Sequence, residues 1–193
     1  ARLFSEKGFR ETSMADLSRL TGAAEGTIFY HFKTKEDLFV SILDRLKKGI
    51  LEEYEQYSAQ REYGSGLEMM EGAISFYLTL AGALEDGFLL LHRYDLYQLS
   101  EVNPVCRGYL EDIYNCFIDI FEHAVVRGQE DQSIRKLAPR KTALIIFSMV
   151  DGLVKFHTFK LYDAGALYNE MLEACHRILE NNPEAEVGEA HAY

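Results

Sequence analysis

Apolar residues recur along this chain at spacings of three and four, which predicts helices throughout. The stretch from Arg2 to Lys7 reads as a short first helix that stops at Gly8, with Phe9 turned back onto a small core. Met14, Leu17 and Leu20 form the next buried stripe, behind a capping-box pattern, Ser13-x-x-Asp16, that starts a helix at Met14. Gly22 stands where a helix end needs a residue that tolerates positive φ. Ile28 and Phe32, at i and i+4, give the third helix an inner face, and its outer face shows Thr27, Tyr30 and His31. Thr34-x-x-Asp37 caps a long amphipathic helix from Glu36 to about Ala59, with Leu38, Phe39, Ile42, Leu43, Leu46, Ile50, Leu51, Tyr54 and Tyr57 along one stripe.

Residues 60–66 are a loop by composition, and Ser65-x-x-Glu68 caps a helix over about 66–84. The pattern breaks between Gly82 and Gly87, and a further helix over about 87–100 sets His92, Arg93 and Asp95 among apolar residues. Asn103-Pro104 is a cap followed by a first-turn proline, opening a helix that runs to about Arg127 and ends at Gly128. After a polar loop, Pro139 opens a helix apolar nearly all round, from Ala143 to Val150 and on through Leu153, Val154, Phe156 and Phe159. The last helix, about 164–180, aligns Leu167, Met171, Ala174, Cys175 and Ile178. A helix apolar on every side must be covered on every side. The last two helices, about 139–160 and 164–180, are therefore expected to pair with their mates in a second copy as a four-helix interface. The expected fold is all-α, with about nine helices. A three-helix head over 1–45 joins a larger helical body over 46–182, and an acidic tail covers 183–193.

Composition supports this division. Three prolines, no tryptophan and 48% apolar residues favour a helical chain with an ample core, and no apolar run approaches the roughly 18–20 residues of a membrane span. A net charge of −11 would argue against a nucleic-acid partner, but residues 1–48 hold nine Lys/Arg against seven Asp/Glu while the remainder holds eleven against twenty-four. A slightly basic head thus sits on an acidic body. Cys106, Cys116 and Cys175 show no metal-ligand spacing and read as core residues of a protein in a reducing cytoplasm. The sequence shows no signal peptide, and Ala1 falls inside the first helical pattern, so further residues, often basic in such chains, are expected before it.

Two short helices flanking Thr21-Gly22-Ala23 have the layout of a helix-turn-helix, whose second helix can enter a major groove. Lys35 lies in the first turn of the next helix, where free N–H groups and a cation together suit a phosphate. At Leu3-Phe4-Ser5-Glu6-Lys7-Gly8-Phe9, Thr12-Ser13-Met14 and Gly26 through Leu38, the sequence resembles the TetR family of bacterial transcription regulators. The resemblance covers about the first 45 residues. It implies a homodimer whose body binds a ligand and controls the spacing of two DNA-reading heads. It also implies that Thr12, Ser13 and Lys35 hold phosphates while Glu25, Gly26, Thr27, Tyr30 and His31 meet the groove. Two residues depart from the family pattern: Phe29 replaces a phosphate-binding tyrosine, and Glu25 occupies a position often polar or basic. Glu25 can accept from a cytosine amino group or simply favour the helix N-terminus.

No catalytic motif is present, and the pattern calls for no cofactor or metal. Twelve tyrosines and twelve phenylalanines, many between residues 54 and 121, supply either an ordinary core or the walls of a pocket for an apolar or flat molecule. Tyr77, His92, Tyr94, Tyr97, Tyr109, Tyr114, Phe117 and Asp151 are the candidate lining, with Cys106 and Cys116 beside them. The expected function is a ligand-responsive DNA-binding regulator, a repressor on a near-palindromic operator, and not an enzyme. The alternative is a helical small-molecule-binding protein or enzyme that keeps the head as a scaffold.

Overall fold

The computed structural model describes residues 1–181. Among them the chain forms ten α-helices and one 3₁₀ turn. α1 (Arg2–Lys7), α2 (Met14–Thr21) and α3 (Glu25–His31) make the head. α4 (Lys35–Ala59) runs out of it into a body of α5 (Gly66–Ala83), α6 (Glu85–Leu91), α7 (Tyr94–Val102), α8 (Pro104–Glu130), α9 (Pro139–Thr158) and α10 (Tyr168–Leu179). The acidic tail at 183–193 lies outside the described residues. No single helix among those described is long and apolar enough to cross a membrane.

The helix starts follow from their caps. Ser13 Oγ accepts from the Asp16 N–H at 3.1 Å while Asp16 Oδ2 accepts from the Ser13 N–H at 3.2 Å. Thr34 and Asp37 repeat the reciprocal pair at 3.0 and 3.1 Å. Asn103 Oδ1 accepts from two N–H groups, of Val105 and Cys106, behind Pro104 in the first turn of α8. Each cap satisfies donors that a helix start otherwise leaves open.

Phe39 locks the head to the connector. It is fully buried in α4, with the rings of Phe4 and Phe9 edge-on at 5.1 Å each. Leu17 closes this core, but Leu20 does not join it as expected. It is 56% exposed and lines an open apolar cleft of about 400 Å³ between α1, α2, α3 and α4.

Three further expectations are corrected. The helix expected over 87–100 is two helices, α6 and α7, broken where Arg93 takes an extended conformation (φ −76°, ψ 134°). Gly128 does not end α8, which runs on to Glu130. A Cβ on Gly128 would overlap Ile134, and one on Gly66 would overlap the Gly128 backbone, so glycine serves here for close packing of α5 on α8. Third, α10 does not turn its stripe outward: Met171, Cys175 and Leu179 are buried within the chain's own core. α9 divides as its pattern suggests. Ala143, Ile146, Phe147, Val150 and Val154 face inward, while Leu144, Ile145, Phe156 and Phe159 are exposed.

Replacing Phe39 by Ala removes the ring on which two others pack and is expected to cost about 3–5 kcal/mol, read from urea unfolding followed by helical circular dichroism. A loss below about 1 kcal/mol would show that the head does not depend on this contact. Burial pushes the Cys106 and Cys175 thiols up to about 11. Iodoacetamide at about pH 8 is therefore expected to spare both in the native chain and to modify both after denaturation, as read by peptide mass spectrometry.

Candidate nucleic-acid interface and effector site

α3 has no buried residue. Its inner contact is the half-buried Ile28, and Glu25, Gly26, Thr27, Tyr30 and His31 all face outward. Tyr30 is 84% exposed, and its ring meets that of His31 edge-on at 5.3 Å. A Cβ at Gly26 would meet nothing within 4 Å. Neither packing nor a left-handed backbone demands glycine there, whereas close approach by a partner's backbone would. Arg10 and Lys33 are exposed and make no ion pair among the described residues, while Arg19 pairs with Asp16 at 2.6 Å.

The expected phosphate ligands separate. Ser13 is exposed on the same side of the head as its capping box. Thr12 is buried, and its hydroxyl donates to the Gly8 carbonyl at 2.7 Å. Lys35 Nζ donates to the carbonyls of Phe9 (2.8 Å), Thr12 (3.0 Å) and Arg10 (3.4 Å) and stands over the Phe9 ring at 4.4 Å. An ammonium group has three protons, so in this geometry Lys35 holds the α1–α2 loop and has none left for a phosphate.

In the body, Asp151 of α9 gathers two of the predicted residues on one oxygen. The Tyr77 hydroxyl donates to Oδ1 at 2.5 Å and His92 Nε2 stands 2.9 Å from the same atom. The Tyr77 ring lies 4.8 Å from Phe117 and 5.2 Å from both Phe88 and Phe147. Tyr97 and Tyr114 join hydroxyls at 2.7 Å nearby. Burial first, and then the Asp151 charge, hold the Tyr77 phenol well above its usual range. Burial, Tyr97 and Asp151 raise Tyr114 in the same direction. Phe88 and Phe147 belong to this cluster although the sequence reading omitted them. Two predicted residues are elsewhere: Tyr94 is 74% exposed, and Tyr109 turns toward α4, where it helps to lower Asp44. The cluster is closed, because its aromatic rings fill it. Wider clefts lie elsewhere, such as one of about 850 Å³ between α1, α4 and the α5–α6 turn. No hydroxyl or thiol bonds to His92 among the described residues, so the pair with Asp151 lacks the nucleophile of an acyl-transfer site.

Residues 1–42 match the profile described as bacterial regulatory proteins, tetR family. The chain belongs to the TetR family. A curated relative, a fatty acid metabolism regulator protein of Bacillus subtilis (strain 168), is 24% identical over 89% of this chain and 87% of its own length. The structure of the regulator FadR from Bacillus subtilis in complex with stearoyl-CoA shares the fold at a TM-score of 0.74, with 23% identity over 91% of this chain and 92% of its own. A putative transcriptional regulator from Saccharomonospora viridis in complex with choline shares it at 0.78, with 18% identity over 94% and 93%.

In this TetR-family chain a joint between head and body forms at the α6–α7 break. Arg93 Nη1 donates to the carbonyls of Ser5 (3.0 Å) and Glu6 (3.2 Å), and Nη2 to that of Lys7 (3.4 Å), at the open C-terminal end of α1. Asp95 binds Arg93 Nε at 2.9 Å and accepts from the Phe9 N–H at 2.5 Å. Gly8 lies under this pair with φ +91°, where a Cβ would overlap both side chains. An Arg-x-Asp set inside an apolar run was the sequence signal for this joint.

Lys35→Met is expected to destabilise the chain by about 1–3 kcal/mol while leaving the slope of log K against log salt for DNA unchanged. Arg10→Ala and Lys33→Ala should each flatten that slope by about one contact without loss of stability. Anisotropy titrations at several salt concentrations beside urea unfolding separate the two classes.

Proposed function

We propose that this DNA-binding regulator is a homodimeric repressor, that it reads a near-palindromic operator with α3, and that a small molecule entering the body cluster releases it. The observation that carries the reading is the outer face of α3. It presents Thr27, Tyr30 and His31 with an unfilled space over Gly26, and nothing within the chain covers it. Thr27, Tyr30 and His31 are the base-edge or groove-wall contacts in this proposal, Glu25 lies at the helix start, and Ser13, Arg10 and Lys33 supply backbone contacts. The exposed apolar side of α9, Leu144, Ile145, Phe156 and Phe159, is the surface offered to a second copy, which would place two recognition helices about 34–36 Å apart.

The effector site of the proposal is the cluster around Asp151. His92 ties this cluster to the α6–α7 break, and the next residue grips α1. A molecule that displaces His92 or Asp151 would shift the break and with it the head. By linkage, operator DNA must weaken effector binding by the same factor.

The test is fluorescence anisotropy of the full chain with DNA from upstream of its own gene, beside scrambled DNA, at two salt concentrations. Tyr30→Ala is expected to weaken specific binding roughly tenfold or more with an unchanged unfolding midpoint, and Gly26→Val to weaken it similarly by pushing the helix off the backbone. Equal, salt-driven binding of the wild type to both DNAs would overturn the reading of α3.

A further inference from the structure

The fold does not decide what enters the body: related structures hold an acyl-CoA in one case and choline in another, opposite in charge. The choice must lie in this chain's own residues. We propose that the effector is an organic cation, a protonated primary or secondary amine on an apolar body, with its ammonium held between Asp151 and His92. The proposal rests on the effector-site reading above and adds the chemical class of the molecule.

The polar atoms of the cluster carry the inference. Asp151 Oδ1 is already met by the Tyr77 hydroxyl and His92 Nε2. Its other oxygen has no hydrogen-bond partner among the described residues. A carboxylate can only accept, so the His92 proton on this side sits on Nε2, and the neutral ring carries a lone pair at Nδ1. His92 is 5% exposed, and Nδ1 has no partner at all among the described residues. The cluster therefore offers two unused acceptors and no unused donor. A buried polar atom without a partner is costly, and a ligand that brings N–H groups removes that cost.

Charge points the same way. No Lys or Arg lies within ion-pair distance of Asp151 among the described residues, whose only charge partner is His92. Arg93, next in sequence, faces away and gives its protons to α1 and Asp95. Lys155, one turn further along α9, is exposed and unpaired among the described residues. The rings of Tyr77, Phe88, Phe117 and Phe147 supply faces that attract a cation and bury its apolar part. A carboxylate or phosphate would meet Asp151 as a like charge, and a thioester carbonyl would set an acceptor against acceptors. A quaternary ammonium satisfies the charge but leaves Nδ1 unpaired, so an amine with N–H groups fits better. Entry is from the side of Asp151, whose side chain is 21% exposed, past the Tyr97–Tyr114 hydroxyl pair at the edge of the cluster.

The test uses four probes with one tail: decylamine, decyltrimethylammonium, decanol and decanoate, each below its micelle concentration. They are titrated into the full chain by calorimetry and by tyrosine fluorescence, which the absence of tryptophan leaves unobscured. Decylamine is expected to bind about tenfold or more tighter than decanol, with the quaternary probe between them and decanoate weakest. Asp151→Asn should bring decylamine down to the decanol value and leave decanol unchanged. Decanoate binding as tightly as decylamine, binding by none of the four, or an unchanged decylamine affinity in Asp151→Asn would each overturn the assignment. The wild-type comparison of amine with carboxylate stands even if the variant does not fold. Operator binding measured without a probe addresses the regulator reading alone, so a failure there is distinct from a failure of the amine test.

Discussion

Two consecutive residues face opposite ways at the break between α6 and α7, and the placement of the head on the body depends on them. His92 turns into the body and meets Asp151, and Arg93 turns outward and closes the C-terminal end of α1. The last carbonyls of a helix carry partial negative charge and lack partners, so a guanidinium across them is a strong and directional contact. Asp95 completes the joint by binding both Arg93 and the Phe9 N–H. The geometry then constrains Gly8, which needs a positive φ and the absence of a side chain at once. A continuous helix through these residues would satisfy the backbone locally, but it would lose the joint.

The same economy explains the weak basicity of the head. Lys35 and Thr12, which the motif suggests for phosphates, instead hold the loop between α1 and α2. Their bonds and the Phe4–Phe9–Phe39 triangle make about forty residues rigid enough to carry α3 as a nearly bare reading surface. α3 buries no residue fully, so its orientation is set by Ile28, by the flanking turns and by the long α4. A displacement of α4 or α1 would therefore move α3 as a unit.

Much of this was readable from the residues. Caps and starts came through because they are local: Ser13, Thr34, Ser65 and Asn103 act within four residues. The division of α9 was readable because a helix apolar on all sides states its own requirement. The misreadings share one cause, a distant partner. Nothing local marks Arg93 as the cap of α1, Gly128 as the seat for Gly66, or Met171 and Cys175 as inward rather than outward. Lys35 is the clearest case. Its position at a helix start suits a phosphate, but three carbonyls brought in by the preceding loop reach it first. Of the aromatic candidates, Tyr77, Tyr97, Tyr114 and Phe117 converge and Tyr94 and Tyr109 do not, because helical spacing fixes a face and not what that face meets.

The body cluster gives the proposed response its energy scale. With its rings packed together the cluster is closed, and one buried nitrogen, His92 Nδ1, is left without a partner. Such an atom destabilises the closed state by about 1–3 kcal/mol. That range matches the coupling free energies of known allosteric proteins, about 1–3 kcal/mol. A ligand that satisfies the nitrogen and separates the rings would gain this energy only in the open state, which is the differential affinity that a population shift requires. Because His92 and Arg93 are neighbours in one backbone, opening at the first residue cannot leave the second in place. The imperfect polar network and the joint with α1 are thus two ends of a single element, and a fully satisfied network at His92 would hold the head in one position without responding to anything.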